Sequence, residues 1–341
     1  MLSFTGARLE RAQASPQFHD GRFSNSSGAS PRIDGTSLSL MGDLLFGGKK
    51  RRPARPLPVE SPLATWATPL SSGLRVTWFG HSTLLLESGG VRALLDPVFG
   101  DYASPGFYAG RKRFHPVPAT IAQLPPLDVV LLSHDHYDHL NNPSIRELAQ
   151  LRVPFITSLG VGARLEALGV EPSLITELDW WEEHTIRGGA MSFTATPAQH
   201  FSGRGLRDRN QTLWSSWVIT TASRRVFFSA DTGLTDELAT IGERLGPFDL
   251  SMIEIGAAHP AWADIHLGPV NALRAFEMLG GGTFLPIHWG TFDLALHTWD
   301  EPAETLVTLA EKSGARVLTP RLGSPTEPEL VEETPRWWRN V

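Results

Sequence analysis

From Leu74 onward, apolar positions come in short runs separated by polar or glycine-rich breaks, which is a pattern of short strands. Residues 74–79, 83–87 and 91–95, parted by Gly80-His81 and Gly89-Gly90, predict a meander that Asp96-Pro97 ends. The stretch 98–127 is long and irregular and carries Arg111-Lys112-Arg113 with several aromatics; loops of that length are usually functional or disordered. The apolar run 128–132 predicts a fully buried strand. A helix start follows, with Asn142 as cap and Pro143 at the first position, running to about Gln150. A strand near 153–157, a helix near 160–168 and strand pieces near 174, 184–187 and 191–196 come next. The second half predicts strands at 216–220 and 225–229, a helix at 235–245 capped by Thr235, and a strand at 250–255. A helix from about Pro269 to Leu279, a strand at 283–287, a helix at 301–312 and a strand at 315–318 complete the pattern. Strands alternating with helices in both halves predict two related α/β units packed sheet to sheet.

Residues 1–60 show no sustained period and are rich in Ser, Gly, Pro and Arg, so they read as an irregular extension ahead of a body at 61–341. Within the extension, the apolar stretch 38–46 runs into Lys49-Lys50-Arg51-Arg52. That pairing suits either an interfacial membrane contact or a solvated linker that clips onto the body. With 341 residues, 41% of them hydrophobic, the chain can bury a large core. Its formal charge of -6 argues against a nucleic-acid partner on bulk charge. The count of zero cysteines excludes disulfides and thiolate ligands, so any metal must be held by histidine and carboxylate. No apolar run approaches the about 20 residues needed to span a bilayer, and Met1 to Arg8 lacks the apolar core of a secretion signal. The expectation is a soluble cytoplasmic protein that can still touch a membrane surface.

Chemistry enters directly after the buried strand, in Ser133-His134-Asp135-His136-Tyr137-Asp138-His139. This cluster sits where a strand's carboxyl end turns into a helix, the usual ligand position of an α/β sheet. In extended backbone, residues two apart point the same way, so His134 and His136 converge while Asp138 and His139 aim beside them. Imidazole and carboxylate without sulfur suit zinc, with iron or manganese as alternatives. A polar turn with backbone-bonded histidines is the structural alternative, and it explains such a density of ligands poorly. His81 and Asp96, also at strand ends, suit either groups that orient ligands or plain capping and turn roles, and neither is read as a ligand itself. Arg204, Arg207 and Arg209 form either an anion-holding cluster or an ordinary charged loop.

His-x-His-x-Asp-His after an apolar strand resembles the signature of the metallo-β-lactamase superfamily. Later segments match in order: Gln199-His200, Ala230-Asp231-Thr232-Gly233 and Ile287-His288-Trp289-Gly290. The resemblance implies an α/β fold, an αββα four-layer sandwich of two mixed sheets packed face to face with helices outside. It implies two divalent metal ions, one held by His134, His136 and His200, the other by Asp138, His139 and His288, with Asp231 bridging. A metal-held hydroxide would then be the nucleophile, and Asp138 could also orient it or accept its proton. The words Thr77-Trp78-Phe79-Gly80-His81-Ser82-Thr83 and Asn210 through Trp214 resemble N-acyl-phosphatidylethanolamine phospholipase D, whereas the related ascorbate-phosphate lactonases share the metal words but fewer of these flanking ones. The phospholipase D branch implies phosphodiester hydrolysis of a phospholipid-like substrate, with His266 reaching the substrate phosphate or protonating the leaving oxygen. Hydrolysis of a lactone or other carboxylic ester is the second reading. A non-catalytic metal-binding or interaction protein is the reading of another class, and a complete ligand set argues against it.

Overall fold

The protein is described here by a computed structural model covering residues 5–28, 51–104, 112–205, 207–259 and 265–341. The segment 38–46 with Lys49-Lys50, and Arg111, lie outside these residues. The strands are β1 (Phe18–His19), β2 (Arg22–Phe23), β3 (Leu74–Gly80), β4 (Thr83–Ser88), β5 (Val91–Leu95), β6 (Val129–Leu132), β7 (Phe155–Ser158) and β8 (Ile175–Leu178). They continue as β9 (Glu183–Ile186), β10 (Met191–Thr196), β11 (Ser216–Thr221), β12 (Arg225–Phe228), β13 (Leu250–Glu254), β14 (Thr283–Ile287), β15 (Arg316–Val317) and β16 (Pro325–Thr326).

Two 7-stranded sheets result, ordered β16-β3-β4-β5-β6-β7-β8 and β9-β10-β11-β12-β13-β14-β15. Each has antiparallel pairings up to β5 or β12, then parallel ones. The halves therefore repeat one plan, a hairpin meander feeding β-helix-β crossovers. Alternate residues explain the layers. Trp78, Leu86, Leu95 and Leu131 share one core with Phe193, Trp217 and Met252 of the other sheet. The opposite parity, Leu94, Val130, Leu132 and Phe155, packs on Ile145 and Leu148 of helix Asn142–Gln150 and on Leu165 of helix Gly162–Ala167. Helices Glu237–Leu245, Gly268–Met278 and Glu301–Ser313 bury Ile241, Phe276 and Leu306 on the second sheet. Helices outside and sheets inside give the four-layer α/β sandwich that the resemblance implies. No helix among the described residues is long and apolar enough to cross a membrane.

Three local expectations change. The helix after β6 starts at Asn142 itself, and the cap is Asn141, whose Oδ1 accepts from Ser144 N at 3.2 Å. The helix read from Thr235 begins at Glu237, whose N–H is accepted by Thr235 Oγ1 at 3.4 Å, while Asp236 at the cap position makes no side-chain cap bond. Residues 1–60 are not irregular throughout, because Ala7–Ala14 is helical and β1 and β2 form a hairpin. Tertiary contact supplies what local periodicity lacks. Arg8 pairs with Glu166 and Glu177 at 2.7 Å each, Arg11 pairs with Glu182 at 2.6 Å, and Ala12 and Phe23 bury against Trp180, Leu213 and Trp214. At the other terminus, Trp337 and Trp338 pack on Trp289, which stacks on Trp78 at 5.4 Å.

Candidate metal centre

The site is built on the carboxyl ends of strands from both sheets. φ is positive at His81, Asp96, Ala230, Ala257 and His288, which follow β3, β5, β12, β13 and β14. Non-glycine residues rarely adopt this conformation, and its concentration here marks a surface where chain direction is set by the site. Gly80 before His81 also has φ +101°, and a Cβ there would lie 2.5 Å from His115 Nε2, so neither space nor backbone admits another residue.

His134, His136, His200 and Asp231 bring one ligand atom each within 4.8 Å of the others. Their tautomers follow from the bonds behind them. Ser133 Oγ donates to Asp96 Oδ2 at 2.6 Å and so accepts from His134 Nδ1 at 2.9 Å, leaving a lone pair on His134 Nε2. His200 Nδ1 donates to the Ile265 carbonyl at 2.9 Å, leaving its Nε2 unprotonated. Both lone pairs face His136 Nδ1, at 2.9 and 3.3 Å. A single ring nitrogen carries at most one proton and can satisfy only one of them. Burial first, then the charges of neighbouring His139 and His136, hold His134 well below the usual histidine range. A neutral, convergent nitrogen set of this kind fits a cation.

His81, Asp138, His139 and His288 form a second group within the same 4.8 Å limit. His139 Nε2 lies 3.1 Å from Asp231 Oδ2, and His288 Nε2 lies 3.1 Å from Asp231 Oδ1. Yet His139 Nε2, His288 Nε2 and Asp231 Oδ1 are buried without a hydrogen bond. Close approach without alignment means these atoms face a common point rather than each other, which again fits a metal ion. Asp231 thus stands between the two groups. His139 Nδ1 is held by Asp96 Oδ2 at 2.7 Å, and Asp96 Oδ1 takes the Ser133 N–H at 2.8 Å, so Asp96 orients the ring as the sequence suggests. His81 comes closer than expected, with Nε2 3.0 Å from Asp138 Oδ2.

The electrostatics follow from burying carboxylates among imidazoles. Burial alone would raise Asp138, but His139, His288 and His81 hold it well below the carboxylate range. Burial would lower His288, but the nearby carboxylates of Asp231 and Asp138 push it up to about 10. His81, dominated by burial and then by His288, falls to about 3. The carboxylates stay ionised, and protonated imidazoles supply the positive charge that a bound cation would replace.

His266 lies where the sequence places it, at the entry to helix Gly268–Met278, with its ring 5.1 Å from His288 and 5.3 Å from His200. Its partner escaped the sequence reading. Glu254 Oε2 lies 2.7 Å from His266 Nδ1, and Glu254 Oε1 accepts the Thr232 N–H at 2.8 Å. The one available signal was a carboxylate ending the otherwise apolar β13. Asp264 lies outside the described residues. Arg204 turns much of its guanidinium to the protein. Nη1 goes to the carbonyls of Asp135 and Leu140, Nη2 goes to Asn142 Oδ1, and the guanidinium stacks 3.7 Å over Tyr137. Arg209 covers Phe201 at 4.8 Å, and Arg207 is exposed.

The profile described as Beta-lactamase superfamily domain matches residues 91–289, a span that runs from β5 to the residue after His288. The chain belongs to the metallo-β-lactamase superfamily. An uncharacterised Mycobacterium tuberculosis protein is 42% identical over 334 residues, covering 96% of this chain and 88% of that one. An N-acyl-phosphatidylethanolamine-hydrolyzing phospholipase D 1 of Caenorhabditis elegans is 38% identical over 251 residues, 70% of each chain. In fold, the chain is similar to Igni18, a metallo hydrolase from Ignicoccus hospitalis, with TM-score 0.56 and 20% identity over 74% of this chain and 97% of that one. As a superfamily member in which three overlapping groups of His, Asp and Glu among the described residues could hold metal, the third being Asp231, Glu254, His266 and His288, the chain is a metal-dependent hydrolase.

Proposed function

We propose that this hydrolase works with two divalent ions, zinc foremost, and cleaves the phosphodiester of N-acyl-phosphatidylethanolamine-like phospholipids in the manner of a phospholipase D. The observation that carries the reading is the meeting of two ligand groups at one buried carboxylate, Asp231. His134, His136 and His200 would hold one ion and Asp138, His139 and His288 the other, with Asp231 shared. Two such ions supply hydroxide at neutral pH and offset charge on phosphoryl oxygens.

The remaining roles belong to the chain. Asp138, kept ionised and steadied by His81, orients the attacking water and takes its proton. His266 is fixed through Nδ1 by Glu254, so its Nε2 is the atom that faces substrate. From there it protonates the departing alcohol oxygen as the P–O bond breaks. The phosphate stays with the diacylglycerol and the N-acylethanolamine leaves. The Caenorhabditis elegans relative supports this choice of substrate. A lipid substrate also places the protein's work at a membrane surface, reached from the cytoplasm.

Elemental analysis of protein never exposed to chelator should find close to two divalent ions per chain, and one or none would overturn the dinuclear reading. A metal-supplied panel of N-acyl-phosphatidylethanolamine, a generic phosphodiester, a phosphorylated lactone and a β-lactam should be led by the phosphodiesters. Preference for the lactone would move the protein to carboxylic-ester hydrolysis, and silence across the panel would leave a non-catalytic metal protein.

A further inference from the structure

His200 follows β10 in a loop, where its backbone has no strand partner. Its amide and carbonyl are nevertheless both satisfied, and by one side chain. Asn25 Oδ1 accepts the His200 N–H at 3.0 Å, and Asn25 Nδ2 donates to the His200 carbonyl at 3.0 Å. Trp214 Nε1 donates to the same Asn25 Oδ1 at 3.1 Å and to the Ala198 carbonyl at 2.9 Å. Asn25 is buried, 3% exposed, and 175 residues away from His200 along the chain.

A two-point clasp fixes the plane and direction of a peptide, which one bond does not. Combined with the Nδ1 bond to Ile265, it fixes both the Cα position and the ring of His200. Asn25 is itself held in place by the N-terminal segment. Phe23 N donates to the Asn210 carbonyl at 2.7 Å, Phe23 buries beside Trp214 and Ala198, and helix Ala7–Ala14 is pinned by Arg8 to Glu166 and Glu177.

We propose that Asn25 is a positioning residue for the first metal site, making the N-terminal segment a working part of the metal centre. The inference rests on the reading of His200 as a metal ligand. It predicts asymmetry. Without Asn25, His200 is placed less firmly beside His134 and His136, whereas Asp138, His139 and His288 lie outside the His200 peptide that Asn25 clasps.

The test uses the full chain as wild type, Asn25→Ala, Asn25→Asp and Arg8→Ala. Each is loaded with zinc or cobalt, counted for metal, and challenged with a chelator. Orienting partners of metal ligands are typically worth about 10–100-fold in affinity, so Asn25→Ala should release one of its two ions at least about tenfold faster than wild type. The cobalt absorption spectrum should change for one ion only. Asn25→Asp retains the acceptor for the His200 N–H and Trp214 but loses the donor, so it should fall between the two, and it carries the test if the alanine variant does not fold. Arg8→Ala loosens the segment that carries Asn25, so it should shift the same ion in the same direction, by less than Asn25→Ala. If wild type holds two ions and the Asn25 variants hold them equally tightly, or if they release both ions alike, Asn25 is merely structural and the inference is overturned. If wild type binds no metal, the dinuclear reading fails and takes this inference with it.

Discussion

Two ring nitrogens with lone pairs directed at a third, and a carboxylate between two imidazoles that it does not bond, are costly arrangements inside a protein. They persist here because the bonds behind them are good. Asp96 holds Ser133 and His139, Ser133 holds His134, Ile265 holds His200, and Glu254 holds His266. His81 steadies one oxygen of Asp138, whose side chain retains some exposure. Asp138→Asn keeps the shape but loses the charge, so turnover should fall by about 10²–10⁴-fold with the fold intact by circular dichroism. Unchanged turnover would place the chemistry elsewhere. His266→Ala should lose a similar factor in kcat while retaining metal, because its Nδ1 is committed to Glu254 rather than to an ion. Near-normal turnover there would make His266 structural.

The strand ends that carry these residues depend on pairing deeper in the sheets. Arg75 and Glu87 face each other across β3 and β4, with Nε–Oε2 at 2.7 Å and Nη2–Oε1 at 3.0 Å, both side chains almost wholly buried. Arg75 Nη1 also reaches the carbonyls of Thr65 and Thr68, and Arg92 approaches Glu87 at 3.0 Å from β5. A bidentate pair in that position sets register between the strand that ends at His81 and its neighbour. Glu87→Ala leaves a buried guanidinium without its counter-charge, and such losses cost about 3–5 kcal/mol. Urea unfolding of the metal-loaded protein should show that drop. A change under about 1 kcal/mol would mean that backbone pairing alone holds the register.

At the scale of the whole molecule, burial of neutral histidines makes the fold sensitive to acid. His115 shows this apart from the metal cluster. It is buried, its Nδ1 bonds the Pro116 carbonyl at 2.8 Å, and burial first, then Arg113, lowers it from 6.5 to about 3. The unfolded chain takes up this proton below pH 6.5 and the folded chain does not until about 3, so stability falls as pH drops through that window. The slope is about 1.4 kcal/mol per pH unit for one proton, and His115→Gln should flatten the acid limb by that amount in pH-dependent unfolding. An unchanged limb would show that His115 charges without cost. The sequence alone determined the strand-and-helix order, the two-sheet plan and the metal turn, because each is written in periodicity or spacing within about ten residues. His200, Asp231 and His288 were legible as candidate ligands only because each follows a strand inside a recognisable word. Contacts between distant segments were not legible. Asn25 on His200, Glu254 on His266, Arg204 spent on the carbonyls of Asp135 and Leu140, and β16 paired with β3 have no local pattern. A side-chain amide or guanidinium reads the same in sequence whether it meets water, substrate or a carbonyl. Only the closing of the two sheets decides which backbone groups are left without partners, and therefore which side chains must supply them.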